Sequence, residues 1–284
     1  MTVPPTTLIV ITDVHLPGPD GADAADRPDA AANLRLALDA VAAAAPEAAA
    51  LVFAGDLAAD GHPHAYRALR AAVAPVSASL AAPPIWVMGN HDERAPFRAE
   101  LLDDGRDPTA PCDSVHRTGG LRVAVLDSTV PGHHHGELDD AQLDRLAVEL
   151  AEPTPDGTVL VLHHPPVRSP VGSVDLLRLH RPERLAAVIA GSDVRMVVCG
   201  HAHYAGAGAL AGIPVWVAPA TWYRTDALPP AGTLRAARGP SVSRVDLLDG
   251  SAVATAIPLG GEPVYQVDAA ARLAWMRERV AVPG

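Results

Sequence analysis

Five short apolar runs in this chain each end in a side chain able to bind a metal ion. Residues 7–12 lead to Asp13-Val14-His15, and residues 51–54 to Gly55-Asp56. Residues 85–88 lead to Gly89-Asn90-His91-Asp92, residues 159–162 to His163-His164-Pro165-Pro166, and residues 194–199 to Gly200-His201-Ala202-His203. Short apolar runs bounded by turn signals suit buried strands. Further runs of this kind cover 121–126, 214–218, 242–247 and 252–257. Between the runs lie helical faces: Leu34, Leu38 and Val41; Tyr66, Leu69 and Val73; Leu143, Leu146 and Leu150; Leu185, Val188 and Ile189. Pro63 and Pro182 fall where first-turn prolines belong. The alternation predicts α/β layers. The last strands follow one another without helices, which predicts antiparallel additions. Ligands in α/β sheets bind beyond the carboxyl ends of strands, so five clusters distant in sequence are expected to converge on one rim.

Composition narrows the class. An apolar share of 49% and a charged share of 19% exclude a disordered chain. The net charge is −11, no lysine occurs, and the arginines are scattered. A nucleic-acid polymer as partner is therefore not expected, since it calls for a cationic track. Two cysteines, Cys112 and Cys199, exclude a disulfide framework. Cys199 closes an apolar run and is expected in the core. The N-terminus lacks the basic region of a signal peptide. The alanine-rich stretch 40–54 is broken by Pro46 and Glu47 and falls short of a membrane span. A cytoplasmic chain is expected, with one domain over 1–265 and a helical extension over 266–284, its helix at 268–280.

The polar set is chemically coherent. Asp13, His15, Asp56, Asn90, His163, His201 and His203 offer oxygen and nitrogen donors and no thiolate. Such donors suit Mn, Fe, Zn or Co. One ion needs three or four protein ligands, so seven suffice for two ions sharing a carboxylate. Glycines 55, 89 and 200 precede the ligands and are expected to let the backbone turn sharply. Two divalent cations, offset by two aspartates and a hydroxide, leave a site of about +1, suited to a phosphodiester or phosphate monoester.

Asp-x-His, Gly-Asp, Gly-Asn-His-Asp, His-His-Pro-Pro and Gly-His-x-His, in this order, resemble the calcineurin-like metallophosphoesterase superfamily. The likeness runs over about residues 7–262. It is closest to the class III cyclic nucleotide phosphodiesterases, through the segments at 55–70, 86–94, 130–138 and 257–261. The resemblance implies two packed mixed β-sheets flanked by helices, a four-layer sandwich, and a homodimer as a common state. It implies that Asp13, His15, Asp56 and His203 hold one metal, often iron. Asp56, Asn90, His163 and His201 would hold the other, often manganese, with Asp56 bridging. Asn90, His91 and His203 would contact substrate, and Asn90 would stabilise the transition state. His91 would protonate the leaving alkoxide after in-line attack of hydroxide. The substrate implied is a small phosphodiester, cyclic AMP-type nucleotides among them. A glycerophosphodiesterase, a phosphomonoesterase or nucleotidase, and a non-catalytic scaffold are the other readings.

Several residues have blander expectations. His164 is expected to support the site by hydrogen bonding, and Asp92 to cap the segment 93–102 or orient an imidazole. His133, His134 and His135 sit in a loop and are expected at a rim or interface rather than on a third metal. Trp222 and Tyr223 are balanced between the pocket rim and the scaffold, whereas Trp216 is expected in the core. Arg168 is balanced between a phosphate contact and the surface.

Overall fold

The computed structural model describes residues 6–19, 29–44, 47–105 and 107–279. The strands are β1 (Thr6–Ile11), β2 (Ala48–Ala54), β3 (Pro84–Val87), β4 (Ser114–Thr118), β5 (Leu121–Leu126), β6 (Thr158–Leu162), β7 (Val194–Cys199), β8 (Gly206–Leu210), β9 (Ile213–Val217), β10 (Arg224–Thr225), β11 (Ala236–Ala237), β12 (Ser241–Leu248) and β13 (Ser251–Pro258). The α-helices are α1 (Ala30–Ala44), α2 (Pro63–Leu80), α3 (Arg94–Phe97), α4 (Asp140–Leu150), α5 (Gly172–Leu176), α6 (Pro182–Ile189) and α7 (Ala269–Arg277). All nine strands expected from sequence are present. The expected C-terminal helix ends at Arg277, and Val280 lies outside the described residues.

Two mixed sheets pack face to face. One runs β13-β12-β1-β2-β3, the other β4-β5-β6-β7-β9-β8. The second has a parallel centre and antiparallel edges, whereas the first is antiparallel on its β12–β13 side and parallel out to its β3 edge. Period-two alternation sorts the side chains. Leu8, Val10, Val52 and Ile85 face Val123, Val125, Val161 and Val198 between the sheets. Ile9, Ile11 and Phe53 turn the other way, onto Leu34, Leu38, Tyr66 and Leu69 of α1 and α2. Leu160 and Leu162 turn outward onto Leu143, Leu146 and Leu185 of α4 and α6. Strands buried on both faces read as continuous apolar runs. Helix, sheet, sheet, helix is the four-layer order expected. Cys199 is buried and free, as is Cys112. Among the described residues no helix is long and apolar enough to cross a membrane.

Local chemistry sets the helix ends. Pro63 and Pro182 open α2 and α6. Asp139 and Gln142 form a reciprocal capping box on α4. At the far end of the second sheet, the buried Arg122 guanidinium donates to Thr158 Oγ1 at 2.8 Å and Asp193 Oδ1 at 2.9 Å. It also donates to the carbonyls of Glu149 and Glu152. This ties β5 and β6 to the end of α4 and the turn before β7. Burial pushes the Asp193 carboxyl up, but hydrogen bonds from Thr154 and Thr158 and the Arg122 charge hold it below the usual carboxylate range.

Asp193→Ala strands the Arg122 charge in the interior and is expected to cost about 3 kcal/mol at neutral pH. The folded pKa is depressed, so this contribution is full above the unfolded carboxylate value and fades as pH falls through the folded one. Urea unfolding of both proteins at neutral and acid pH checks this: the gap must narrow on acidification.

Candidate metal centre

The carboxyl ends of β1, β2, β3, β6 and β7 meet where the two sheets abut. The β1–β2 ladder continues past the strands: Asp13 N donates to Gly55 O at 3.0 Å, His15 N to Asp56 O at 2.9 Å and Leu16 N to Leu57 O at 3.0 Å. The second sheet joins through Gly200 N to His163 O at 3.0 Å and His163 Nδ1 to Ala54 O at 2.9 Å. Main-chain bonds thus pair the first loop with the second and the fourth with the fifth, the His163 side chain joins the two pairs, and the third loop is held through His91 N–H, which donates to Asp56 Oδ1 at 2.8 Å.

The expected ligand residues come together. Asp13, His15, Asp56 and His203 present one donor atom each within 4.8 Å of one another, and so do Asp56, His163 and His201. Asp56 belongs to both groups. His203 Nε2 lies 3.2 Å from Asp13 Oδ1 and 3.3 Å from His15 Nε2, and His163 Nε2 lies 3.3 Å from Asp56 Oδ2. Asn90 donates its amide to His134 Nδ1 at 3.0 Å. Asn90 Oδ1 and His163 Nε2 are then buried without a hydrogen-bond partner among the described residues. Orphaned buried lone pairs of this kind are costly unless something binds them. Oxygen and nitrogen donors, two of them unpaired, in two groups sharing a carboxylate make a cluster suited to a pair of metal ions.

Electrostatics agree. Burial drives the His15 and His201 imidazoles down to about 3, so both carry free lone pairs at neutral pH. Burial opposes charge on His163 too, but neighbouring Asp56 lifts it to about 9. Burial pushes Asp13 and Asp56 up, yet His203 beside the first and His163 beside the second hold both below the ordinary carboxylate value.

The backbone bears the cost of this convergence. Asp13, His15, Asp56, His201 and His203 all have positive φ, from 51° to 67°. Five of the seven expected ligands thus adopt a left-handed conformation that costs a non-glycine residue about 1 kcal/mol or more. The glycine expectation needs correcting. Gly55 does turn with φ 98°, but Gly89 and Gly200 do not have positive φ. They are small because a Cβ on Gly89 would meet Asp56 N at 2.2 Å, and one on Gly200 would meet Thr12 Oγ1 at 2.1 Å.

Asp92 also departs from expectation. It neither caps a helix nor orients an imidazole; Glu93 occupies the N-cap of α3. Its buried carboxylate accepts from Gly89 N at 2.9 Å, Ala58 N at 3.0 Å, Leu57 N at 3.1 Å and the Tyr66 hydroxyl at 3.0 Å. It clamps the Gly-Asp loop onto the Gly-Asn-His-Asp loop. Burial and the Asp56 charge raise it to about 6. His164 meets expectation: its Nδ1 pairs with Ser128 Oγ at 2.8 Å. His91 donates Nδ1–H to Ala59 O at 3.0 Å and packs 4.7 Å from the His15 ring.

A cavity of about 720 Å3 opens over the cluster. His91, Asn90, His134, Trp222 and Tyr223 line it, so both aromatic residues sit at the rim and His134 is the member of the histidine triple that reaches the site. His135 instead stacks on His180 at 4.2 Å. Trp216 is half-buried and donates Nε1–H to Ser243 Oγ at 3.0 Å. Arg168 pairs with Asp175 at 2.8 Å on the surface and does not line the cavity. Arg235 and Arg238, not foreseen from sequence, do.

Residues 6–205 match the family described as Calcineurin-like phosphoesterase, and the chain belongs to that family. It is a phosphoester hydrolase by fold and site. The relatives carry narrower names. The protein named probable cyclic nucleotide phosphodiesterase in Rhodococcus erythropolis is 45% identical over 273 residues, 94% of this chain and 89% of that one. The cAMP/cGMP dual specificity phosphodiesterase of Mycobacterium tuberculosis is 44% identical over 264 residues, 91% of this chain and 81% of that one. A dimetal phosphatase from Danio rerio superposes with a TM-score of 0.58 at 16% identity, over 91% of this chain and 100% of its own. A purple acid phosphatase from yellow lupin gives 0.61 at 14% identity, over 87% of this chain and 50% of its own. The last two establish the fold alone.

Gly89→Ala tests the packing of the centre. The added methyl collides with the Asp56 main chain, so the variant is expected to keep its secondary structure by circular dichroism and to bind less metal by elemental analysis.

Proposed function

We propose that this chain is a dinuclear metal-dependent phosphodiesterase that hydrolyses cyclic nucleotides. Asp56 carries the reading, since it is the one carboxylate shared by both donor groups. In this reading Asp13, His15, Asp56 and His203 hold one ion, and Asp56, Asn90, His163 and His201 hold the other. Iron and manganese suit these thiolate-free donors. When bound, such a pair supplies Lewis-acid stabilisation of phosphoryl oxygens and hydroxide at neutral pH. The names of relatives 44–45% identical over nine-tenths of the chain favour cyclic nucleotides among phosphodiesters. The scaffold reading has no support, since six of the seven donors cluster in two groups and Asn90 lines the cavity beside them. We take residues 1–265 as the catalytic unit and 266–284 as an appendage; every residue of α7 is exposed. Residues 1–5 and 280–284 lie outside the described ones.

The remaining chemistry falls to the chain's own residues. Water adds to phosphorus, one ester P–O bond breaks, and the departing alkoxide needs a proton. His91 is placed to give it. The Ala59 carbonyl occupies Nδ1, which leaves Nε2 for the cavity. The His91 main-chain N–H meanwhile donates to Asp56 Oδ1 at 2.8 Å, which fixes the imidazole relative to the shared carboxylate. Asn90 and His203 complete the contacts to substrate.

His91→Ala is expected to keep both ions by elemental analysis and to lose roughly a hundredfold or more in turnover of cyclic AMP. Loss of metal from that variant would show that His91 is a ligand instead. Chelation of the wild-type protein is expected to abolish hydrolysis, and metal to restore it.

A further inference from the structure

The cavity is larger than a phosphoryl group needs. A volume of about 720 Å3 falls within the range of whole small-molecule sites. Its floor is the donor cluster. Its outer walls come from elements that carry none of the five motifs: the β10–β11 hairpin with the adjoining Arg238, and α5 with Leu177 beyond it. Leu234, on the hairpin, lines the cavity at 68% exposure and lies outside all three apolar cores. Val174 lines it from α5 and Leu177 from the C-cap just beyond. Trp222 and Tyr223 already pack one face each on His15, at 4.6 Å, and His203, at 4.4 Å. They brace the centre, whereas Leu234 takes no part in the buried cores.

The hairpin is firmly placed. Asp226 N donates to Arg235 O at 2.8 Å, and Arg235 Nε donates to Asp226 Oδ2 at 2.6 Å. Thr225 N donates to His203 O at 3.0 Å, so the hairpin is bonded to a residue of the donor cluster. Arg235, paired with Asp226, and Arg238 place guanidinium groups at the mouth of the cavity.

We propose that the β10–β11 hairpin and α5 form the subsite for the nucleoside part of the substrate, with Leu234 as its apolar contact. The inference rests on the cyclic nucleotide reading given above. The floor can grip only the phosphoryl group, which every phosphoester shares. Preference for a nucleotide must therefore arise at the walls, where apolar side chains can cover a sugar and base.

Leu234→Ala tests this, since an exposed side chain can be truncated without harm to the fold; unchanged melting and metal content verify that. Calorimetric titration of the metal-loaded proteins with 5′-AMP and with inorganic phosphate supplies the readout. The variant is expected to bind AMP about fivefold more weakly, the effect of roughly 40 Å2 of lost apolar contact, and phosphate as before. The KM for cyclic AMP is expected to rise by the same factor, with kcat nearly constant. An unmoved AMP affinity, or an equal loss for phosphate, overturns the subsite. Wild-type protein that hydrolyses cyclic AMP alongside either result leaves the functional reading standing; wild-type protein that leaves cyclic AMP intact overturns both.

Discussion

A carboxylate held ionised in the interior governs this structure. The Asp56 side chain is 3% exposed, and desolvating such a charge costs several kcal/mol even after relaxation. Its Oδ1 accepts one main-chain N–H, from His91, which recovers only part of that cost. Asp13 lies close by, equally buried, and of the imidazoles around the two carboxylates His15 and His201 are driven neutral while His163 is raised. Asp92, a third buried carboxylate, is raised by its own burial and then by the Asp56 charge. An interior with this excess of negative charge and orphaned lone pairs is completed by cations. The same account explains why the ligand set has no arginine in it: a fixed guanidinium would satisfy the carboxylates and remove the reason to bind metal.

The rest of the fold is arranged to hold that charge in place. Five left-handed residues on short loops would not persist on flexible tethers, because strain of this sort survives only where the surroundings over-determine it. The surroundings are the prolonged β1–β2 ladder, the bonds from His163 to Ala54 and from Gly200 to His163, and the Asp92 clamp. Each joins a loop to a different strand end. The two-sheet core behind them, with Leu8, Val10, Val161 and Val198 fully buried, fixes the strand ends. Placing the donors on rigid elements in this way lets a pair of ions bind without reorganisation.

Much of this was legible in the sequence, and the remainder was hidden for physical reasons. Buried parallel strands announce themselves as apolar runs, so nine strands could be read directly, and six of the seven expected donors at their ends gather in the cluster. β8 could not: Gly-Ala-Gly-Ala-Leu has small, half-exposed side chains and is a strand only because β9 pairs with it. β4 alternates between half-buried and exposed positions at a sheet edge. The roles of Asp92 and His134 depend on contacts across 35 and 44 residues; a local reading of Asp92 sees only a helix cap. Gly89 and Gly200 looked like turn residues because sequence reveals what precedes a ligand and not what is pressed against it.

In the subsite proposal, chemistry and recognition are divided between two parts of the molecule. Phosphatases that share the fold at 14–16% identity superpose over most of the chain, as expected if sheets and strand ends carry what is common. The walls above the cluster come from a hairpin and a short helix, the elements with the weakest sequence signal. The electrostatics separate in the same way. With the proposed cations in its floor, the cavity is a positive spot on a molecule of net charge −11. A field of that form draws in a small anion and gives a polyanionic strand nothing to follow beyond the cavity. A small phosphoester fits both the reach of that charge and the size of the cavity.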